Sequence, residues 1–180
     1  GVKRVGILYI NDESGVGAKD SFTKIFKQKG GEISAVESFT GKDTDMRTQI
    51  LKIKSTEPDA IYLFGNGPSW SRAVVQIKES GFEGKVLTNT IMFVRNFRDA
   101  AGNAAEGVYF THPYSDGNDA NVKNFISKYK DEYNFAAPMQ SYYAWDYTHV
   151  LVNALKNNKW KVDNLENSIL KIKEFNGLFG

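Results

Sequence analysis

Cysteine is absent from the 180 residues, which excludes disulfides, thiolate metal sites, cysteine nucleophiles and iron–sulfur clusters. Histidine is nearly absent. His112 and His149 are the only two, and their distant placement gives no metal-ligand spacing, so no metal or cofactor is expected. Long hydrophobic runs are also missing. Val5–Ile10 and Ile61–Phe64 are strand-sized, far short of the ~20 residues needed to cross a bilayer, so no direct membrane insertion is expected. Nor does one sign of charge dominate. The balance of 23 Lys+Arg against 21 Asp+Glu leaves +2, with both signs interspersed, which argues against nucleic-acid binding through a broad basic field. No signal-peptide pattern opens the chain, and the first methionine is Met46; the expectation is a piece of a longer protein or a mature product.

What remains is the composition of a core-forming protein, 41% hydrophobic and 24% charged. A chain of this length hides roughly 70% of its unfolded surface on folding and needs no staple. Its first half repeats one theme, a short β-branched run followed by a helical stripe. Val5–Ile10 predicts a strand buried on both faces, followed by a turn-rich loop over Asn11–Gly17 and a helix carrying Phe22, Ile25 and Phe26, stopped at Gly30-Gly31. Ile33–Phe39 predicts a second, less apolar strand near an edge. Met46, Ile50 and Ile53 then repeat at helical spacing behind a capping stretch, Gly41–Asp45.

Ala60–Phe64, Lys85–Thr88 and Gly107–Thr111 are the remaining expected strands. Between them lie a helix with Trp70, Ala73, Val74 and Ile77 inward and a short helix over Arg95–Ala101. Strands alternating with helices at this spacing predict an α/β fold, a three-layer open parallel sheet with helices on both faces. From residue 115 the pattern changes to extra helices, with stripes Val122-Phe125-Ile126-Tyr129-Tyr133 and Tyr143-Tyr147-Val150-Leu151-Ala154. A third is predicted by Asp163 and Glu166 in capping-box spacing. The expected division is therefore 1–114, bearing the sheet, and 115–180, helical.

In an open parallel sheet, ligands sit beyond the carboxyl ends of the strands. The loops to search are Asn11–Gly17, Gly65–Trp70, Thr88–Phe93 and His112–Asp116. Gly15-Val16-Gly17 invites a nucleotide reading. Yet the third glycine of a dinucleotide loop is replaced by Asp20, no Gly-Lys-Ser/Thr follows, and Asp12 and Glu13 would repel a phosphate. A receiver-type phosphoacceptor fails because Phe64-Gly65-Asn66 offers no carboxylate after the third strand. Ser14 precedes a glycine without the Gly-x-Ser-x-Gly elbow. No catalytic set emerges, and an enzyme is not expected. Among Tyr9, Tyr62, Phe64, Trp70, Phe93, Tyr109 and Tyr114, most are expected in the core and a minority against a ligand.

Arg4–Gly17, Gly30-Gly31, Thr44-Asp45-Met46, Pro58-Asp59-Ala60 before a hydrophobic strand and Gly65, and Gly81-Phe82 occur in an order that resembles a known family. It is that of the type I periplasmic solute-binding proteins, extracellular ligand-binding receptors similar to the branched-chain amino-acid binders of ABC transporters. Tyr143-Ala144-Trp145-Asp146-Tyr147 resembles the family's Tyr-Asp-Ala helix, and Phe175–Gly180 its F-x-G-x-x-G segment. The resemblance implies one lobe of a two-lobed, periplasmic or extracytoplasmic binder. Its partners would be a small-molecule ligand and a membrane permease, and the later helices would belong to the other lobe. Those helices would pack on the sheet present, pair with another copy as a homodimer, or stay partly loose.

Ser14, Asn66 and Thr90 would supply hydrogen bonds to the ligand, and Ile91 and Met92 apolar contact. Two positions depart from the family pattern. Ser14 stands where an aromatic usually covers the ligand, and Asn89–Met92 lacks the carboxylate that often holds an ammonium, although Asp12 or Glu13 could substitute. The ligand class thus spans amino acid-like and carboxylate metabolites. A sensing domain of a signalling or regulatory protein with the same fold is the alternative, and a flavodoxin-like enzyme a third reading.

Overall fold

The computed structural model describes residues 1–111 and 119–178. The chain divides into two compact units, Gly1–His112 and Pro113–Gly180.

In the first unit, β1 (Arg4–Ile10), β2 (Glu32–Phe39), β3 (Ala60–Phe64), β4 (Lys85–Thr88) and β5 (Tyr109–Phe110) form one sheet in the order β2-β1-β3-β4-β5. Every pairing is parallel. The helices α1 (Glu13–Gln28), α2 (Arg47–Lys54), α3 (Gly67–Glu79) and α4 (Arg95–Ala101) make the crossovers. This is the α/β architecture expected from the sequence, with β2 at an edge.

Successive strand residues point to opposite faces, and the core divides accordingly. Leu8, Ile10, Ile61 and Leu63 join Met46, Ile50 and Ile53 from the α2 segment and Trp70, Ala73, Val74 and Ile77 from α3 on one face. Val5, Ile7 and Ala60 meet Phe22 and Phe26 of α1 on the other. Tyr62 stacks on Phe22 with ring centroids 4.1 Å apart. Gly6 is required by close packing, because a Cβ there would lie 2.2 Å from Ile53 Cγ2.

The sequence expectations differ from the structure in four places. The loop expected over Asn11–Gly17 is mostly the first turns of α1, which begins at Glu13. Gly15 permits this early start, since a Cβ would stand 1.8 Å from the Ile10 carbonyl oxygen. Thr90–Phe93, read as loop, forms a 3₁₀ turn whose Ile91 and Met92 are buried. The fifth strand spans only Tyr109–Phe110, and both residues are exposed. The capping box at Asp163 and Glu166 does not form. The helix opens instead from Asn164, in the left-handed region at φ 64°, without a side-chain cap.

The second unit holds α5 (Ala120–Tyr133), α6 (Met139–Asn157) and α7 (Leu165–Leu170). Its small core gathers Val122, Phe125, Tyr142 and Leu178. The Phe125 ring lies 4.9 Å from Tyr142 and 5.3 Å from Trp145. The Asp146 carboxylate accepts the Leu178 amide at 2.7 Å, fixing the residues after α7 against α6.

Candidate functional site

Parallel pairing brings the carboxyl ends of all the strands to one edge of the sheet. Ile10 pairs with Phe39, Tyr9 with Phe64, Leu63 with Thr88, and Thr88 with Phe110. The residues that follow therefore form a common rim. The rim is also stitched directly, because the Asn11 amide donates to the Phe39 carbonyl at 2.6 Å.

At the first loop, Asp12 is the N-cap of α1, and its Oδ1 accepts the Gly15 amide at 2.8 Å. The Ser14 hydroxyl donates to the same oxygen at 2.7 Å. These bonds, with a lesser contribution from the nearby Asn66 side chain, hold the Asp12 carboxyl below its ordinary pKa; slight burial opposes them. Hydrogen bonds to the charged form favour it. The carboxylate is thus ionised at neutral pH, and the first and third strand-end loops meet at this point. With its proton committed to Asp12, the Ser14 hydroxyl faces any further partner as an acceptor.

The fourth loop is tied to the third by a separate chain of bonds. Trp70, fully buried, donates its indole N–H to the Thr88 hydroxyl at 2.9 Å. Thr88 lies 3.2 Å from Asn89 Oδ1, and Asn89 Nδ2 donates to the Gly65 carbonyl at 3.2 Å.

The residues expected to carry a site are placed as follows. Ser14, Asn66 and Thr90 all lie in rim segments, the first two exposed and Thr90 half-buried. Ile91 and Met92 are 8% and 6% exposed and join the core beneath α3 and α4, where they anchor the 3₁₀ turn that carries Thr90. Of the aromatics, Trp70 is core and Tyr62 is stacked under α1, where burial raises its pKa. Tyr9 lies beneath Lys19, with Nζ 5.7 Å from its ring centroid. The His112–Asp116 loop, including Tyr114, falls outside the described residues, as does the end of the Phe175–Gly180 motif.

Asn89 was not singled out by the sequence. The signal that points to it is indirect. A buried tryptophan needs an acceptor for its N–H, and the Thr88-Asn89 pair at a strand end supplies a route from that acceptor to the next loop. Among the described residues, no group of three or more His, Asp or Glu side chains could hold a metal ion.

A family model described as "Periplasmic binding protein" matches residues 1–180. The chain belongs to this family. It is a family of solute-binding, non-enzymatic proteins. This periplasmic binding protein chain is 27% identical to a leucine-binding protein, LivK, of Thermotoga maritima. The TM-score is 0.90, and the match covers 100% of this chain and 52% of that one. It is 26% identical to the branched-chain amino acid transporter substrate-binding protein LivJ of Streptococcus pneumoniae, solved in complex with isoleucine. Here the TM-score is 0.85, with 99% of this chain and 51% of that one covered. A leucine-, isoleucine-, valine-, threonine- and alanine-binding protein of Pseudomonas aeruginosa is 23% identical over 128 residues, which cover 71% of this chain and 34% of that protein. The chain thus spans about half the length of these solved relatives, and the match about a third of the curated one.

Proposed function

We propose that this chain contributes the ligand-gripping lobe, residues 1–114, of an extracytoplasmic solute-binding protein that serves an ABC importer. Residues 115–180 would contribute to the other lobe. The solute is a small amino acid-like or carboxylate metabolite held in the cleft between the two lobes of the whole protein. Closure of such a clamshell around its ligand is a hinge motion, and the closed form is what a membrane permease would recognise.

The observation that carries this reading is the meeting of Asp12, Ser14 and Asn66 on one rim at the carboxyl end of the sheet. Its chemistry is that of an acceptor-rich edge, with an ionised carboxylate and a hydroxyl whose own proton is already engaged. Such an edge suits the donor end of a ligand, and an ammonium group is the strongest donor a small metabolite carries. Asp12 then takes the part left open by the absence of a carboxylate in Asn89–Met92. The amino-acid ligands named for the Thermotoga, Streptococcus and Pseudomonas relatives support the same class. Ile91 and Met92, lying in the core, serve as the floor that positions Thr90.

The test is calorimetry on the full-length protein with leucine, isoleucine, valine and alanine. At least one is expected to bind, and replacing Asn66 or Thr90 by alanine is expected to weaken it by about tenfold, the worth of one hydrogen bond to a charged group. Failure of all four to bind would overturn the amino-acid assignment.

A further inference from the structure

We propose that Asn89 is a positioning residue that fixes the spacing between the two rim loops carrying Asn66 and Thr90, and so sets the affinity of the site above. The inference rests on that reading of the rim. It starts from Trp70. An indole N–H can only donate, so the Thr88 hydroxyl, 2.9 Å from Trp70 Nε1, is committed as its acceptor. Thr88 is itself 3% exposed, and its proton needs a partner within the protein. Asn89 Oδ1, at 3.2 Å, is that partner.

This choice leaves the Asn89 amide nitrogen on the opposite side, where it donates to the Gly65 carbonyl at 3.2 Å. Flipping the amide would set its oxygen against that carbonyl, acceptor against acceptor, so only one orientation satisfies both ends. The result is a directional chain from Trp70 through Thr88 and Asn89 to Gly65. It begins in the core and ends on the backbone immediately before Asn66. Asn89 is also the N-cap residue of the 3₁₀ turn that opens with Thr90. One side chain therefore couples the end of β4 to the end of β3. Gly65 is itself closely packed, since a Cβ there would lie 2.9 Å from Phe39 Cζ.

Asn89→Asp is the sharpest probe. It keeps the acceptor for Thr88 but replaces the donor facing Gly65 by an acceptor. Asn89→Ala, which merely deletes the bridge, guards against a folding failure of the first variant. Thr88→Ser keeps the hydroxyl and is the conservative control. In the full-length protein, leucine binding by calorimetry is expected to weaken about tenfold in both Asn89 variants, with Thr88→Ser near wild type. A ligand-free arm follows the backbone amide resonances. Those of Gly65–Gly67 and Thr90–Met92 are expected to shift in Asn89→Asp, while those of β1 stay in place.

Wild-type binding with unchanged affinity in both Asn89 variants would overturn the positioning role and leave the proposed function standing. Still resonances at both loops would overturn it whether or not leucine is the ligand. Shifted resonances together with a wild-type protein that binds none of the four amino acids would keep the positioning of the loops and remove the amino-acid assignment instead.

Discussion

The two units use the same kinds of helical stripe to different ends. In Gly1–His112, the stripes of α1, α2 and α3 each meet a face of the sheet, and Ile53 and Trp70 have no exposed surface. Among the described residues of Pro113–Gly180 a small cluster closes, and Tyr147 and Leu170 remain 69% and 72% exposed. A helical periodicity in the sequence thus specifies which side of a helix is apolar, but the layer that covers it must come from elsewhere. Where five strands are at hand, the inward side of each stripe is buried, while Ile25 and Leu51 on the outer sides stay about half exposed. Among the described residues of the second unit, which form helices and no strand, Tyr147 and Leu170 lie uncovered, and covering them is worth about 25 cal/mol per Å².

The largest effect that could break this comparison is a matched truncation. Ile53→Ala in the first unit deletes fully buried methyl groups, and a loss of about 2–5 kcal/mol is expected from transfer and cavity terms together. Tyr147→Ala in the second removes a larger but exposed ring, with an expected change within about 0.5 kcal/mol. Native-state hydrogen exchange at the Ile7 and Leu63 amides would read the first, and at amides of α6 the second. Equal effects at the two sites would show that the exposed stripe of α6 is covered in solution.

The same contrast explains how far the sequence could be read. The strands Ala60–Phe64 and Lys85–Thr88 and the buried positions Met46, Ile50, Ile53, Trp70, Ala73, Val74 and Ile77 were legible because local pattern and tertiary burial agree there. The start of α1 was not. Asn11–Gly17 is rich in turn-formers, yet the helix starts inside it, where Asp12 caps it through the Gly15 amide and Gly15 has no Cβ to strike the Ile10 carbonyl. Asp163 and Glu166 had the spacing of a capping box, but a backbone at φ 64° at Asn164 puts the helix start elsewhere. On the rim, Asn66 and Ser14 were visible as polar residues after strands. Ile91 and Met92 were visible as apolar ones, but not that they would turn into the core. Asn89 was invisible because its role depends on the Trp70 indole, nineteen residues away.

A second pair of matched sites tests whether glycine is required by backbone or by side chain. At Gly15, an added Cβ meets the Ile10 carbonyl at 1.8 Å, and a strand backbone in the core cannot retreat. Gly15→Ala is expected to destabilise the first unit by about 1–3 kcal/mol, the range for overpacking. At Gly177 the neighbour is the Asp146 carboxylate at 2.5 Å, the end of a side chain. Gly177→Ala should be milder, giving way by rotation of Asp146 with loss of its bond to the Leu178 amide. Urea midpoints would order the two, and a larger loss at Gly177 would reverse the comparison.

The smallest effect concerns the helix caps. Asp12 caps α1 through the Gly15 amide, and Asp119 caps α5 through Asn121 and Val122 at 2.7 and 3.3 Å. Alanine at either is expected to remove about 1 kcal/mol from its own unit. Asp12 differs in also receiving the Ser14 hydroxyl, which, with the nearby Asn66 side chain, lowers its pKa below that of the unfolded chain. For a carboxyl so depressed, the stability it contributes is present above the unfolded value near about 3.9 and is lost as pH falls through the folded one. The stability gap between wild type and Asp12→Ala should therefore hold from pH 7 to about 5 and close progressively below about 4. Asp12→Asn keeps an acceptor for Gly15 without the charge and should lack that acid-dependent loss. Urea midpoints for the three proteins between pH 7 and 3 would read this. A gap that stays constant to pH 3 would mean that the rim bonds to Asp12 do not discriminate its charged form, and the ionised, acceptor-rich edge proposed for the ligand would lose its basis.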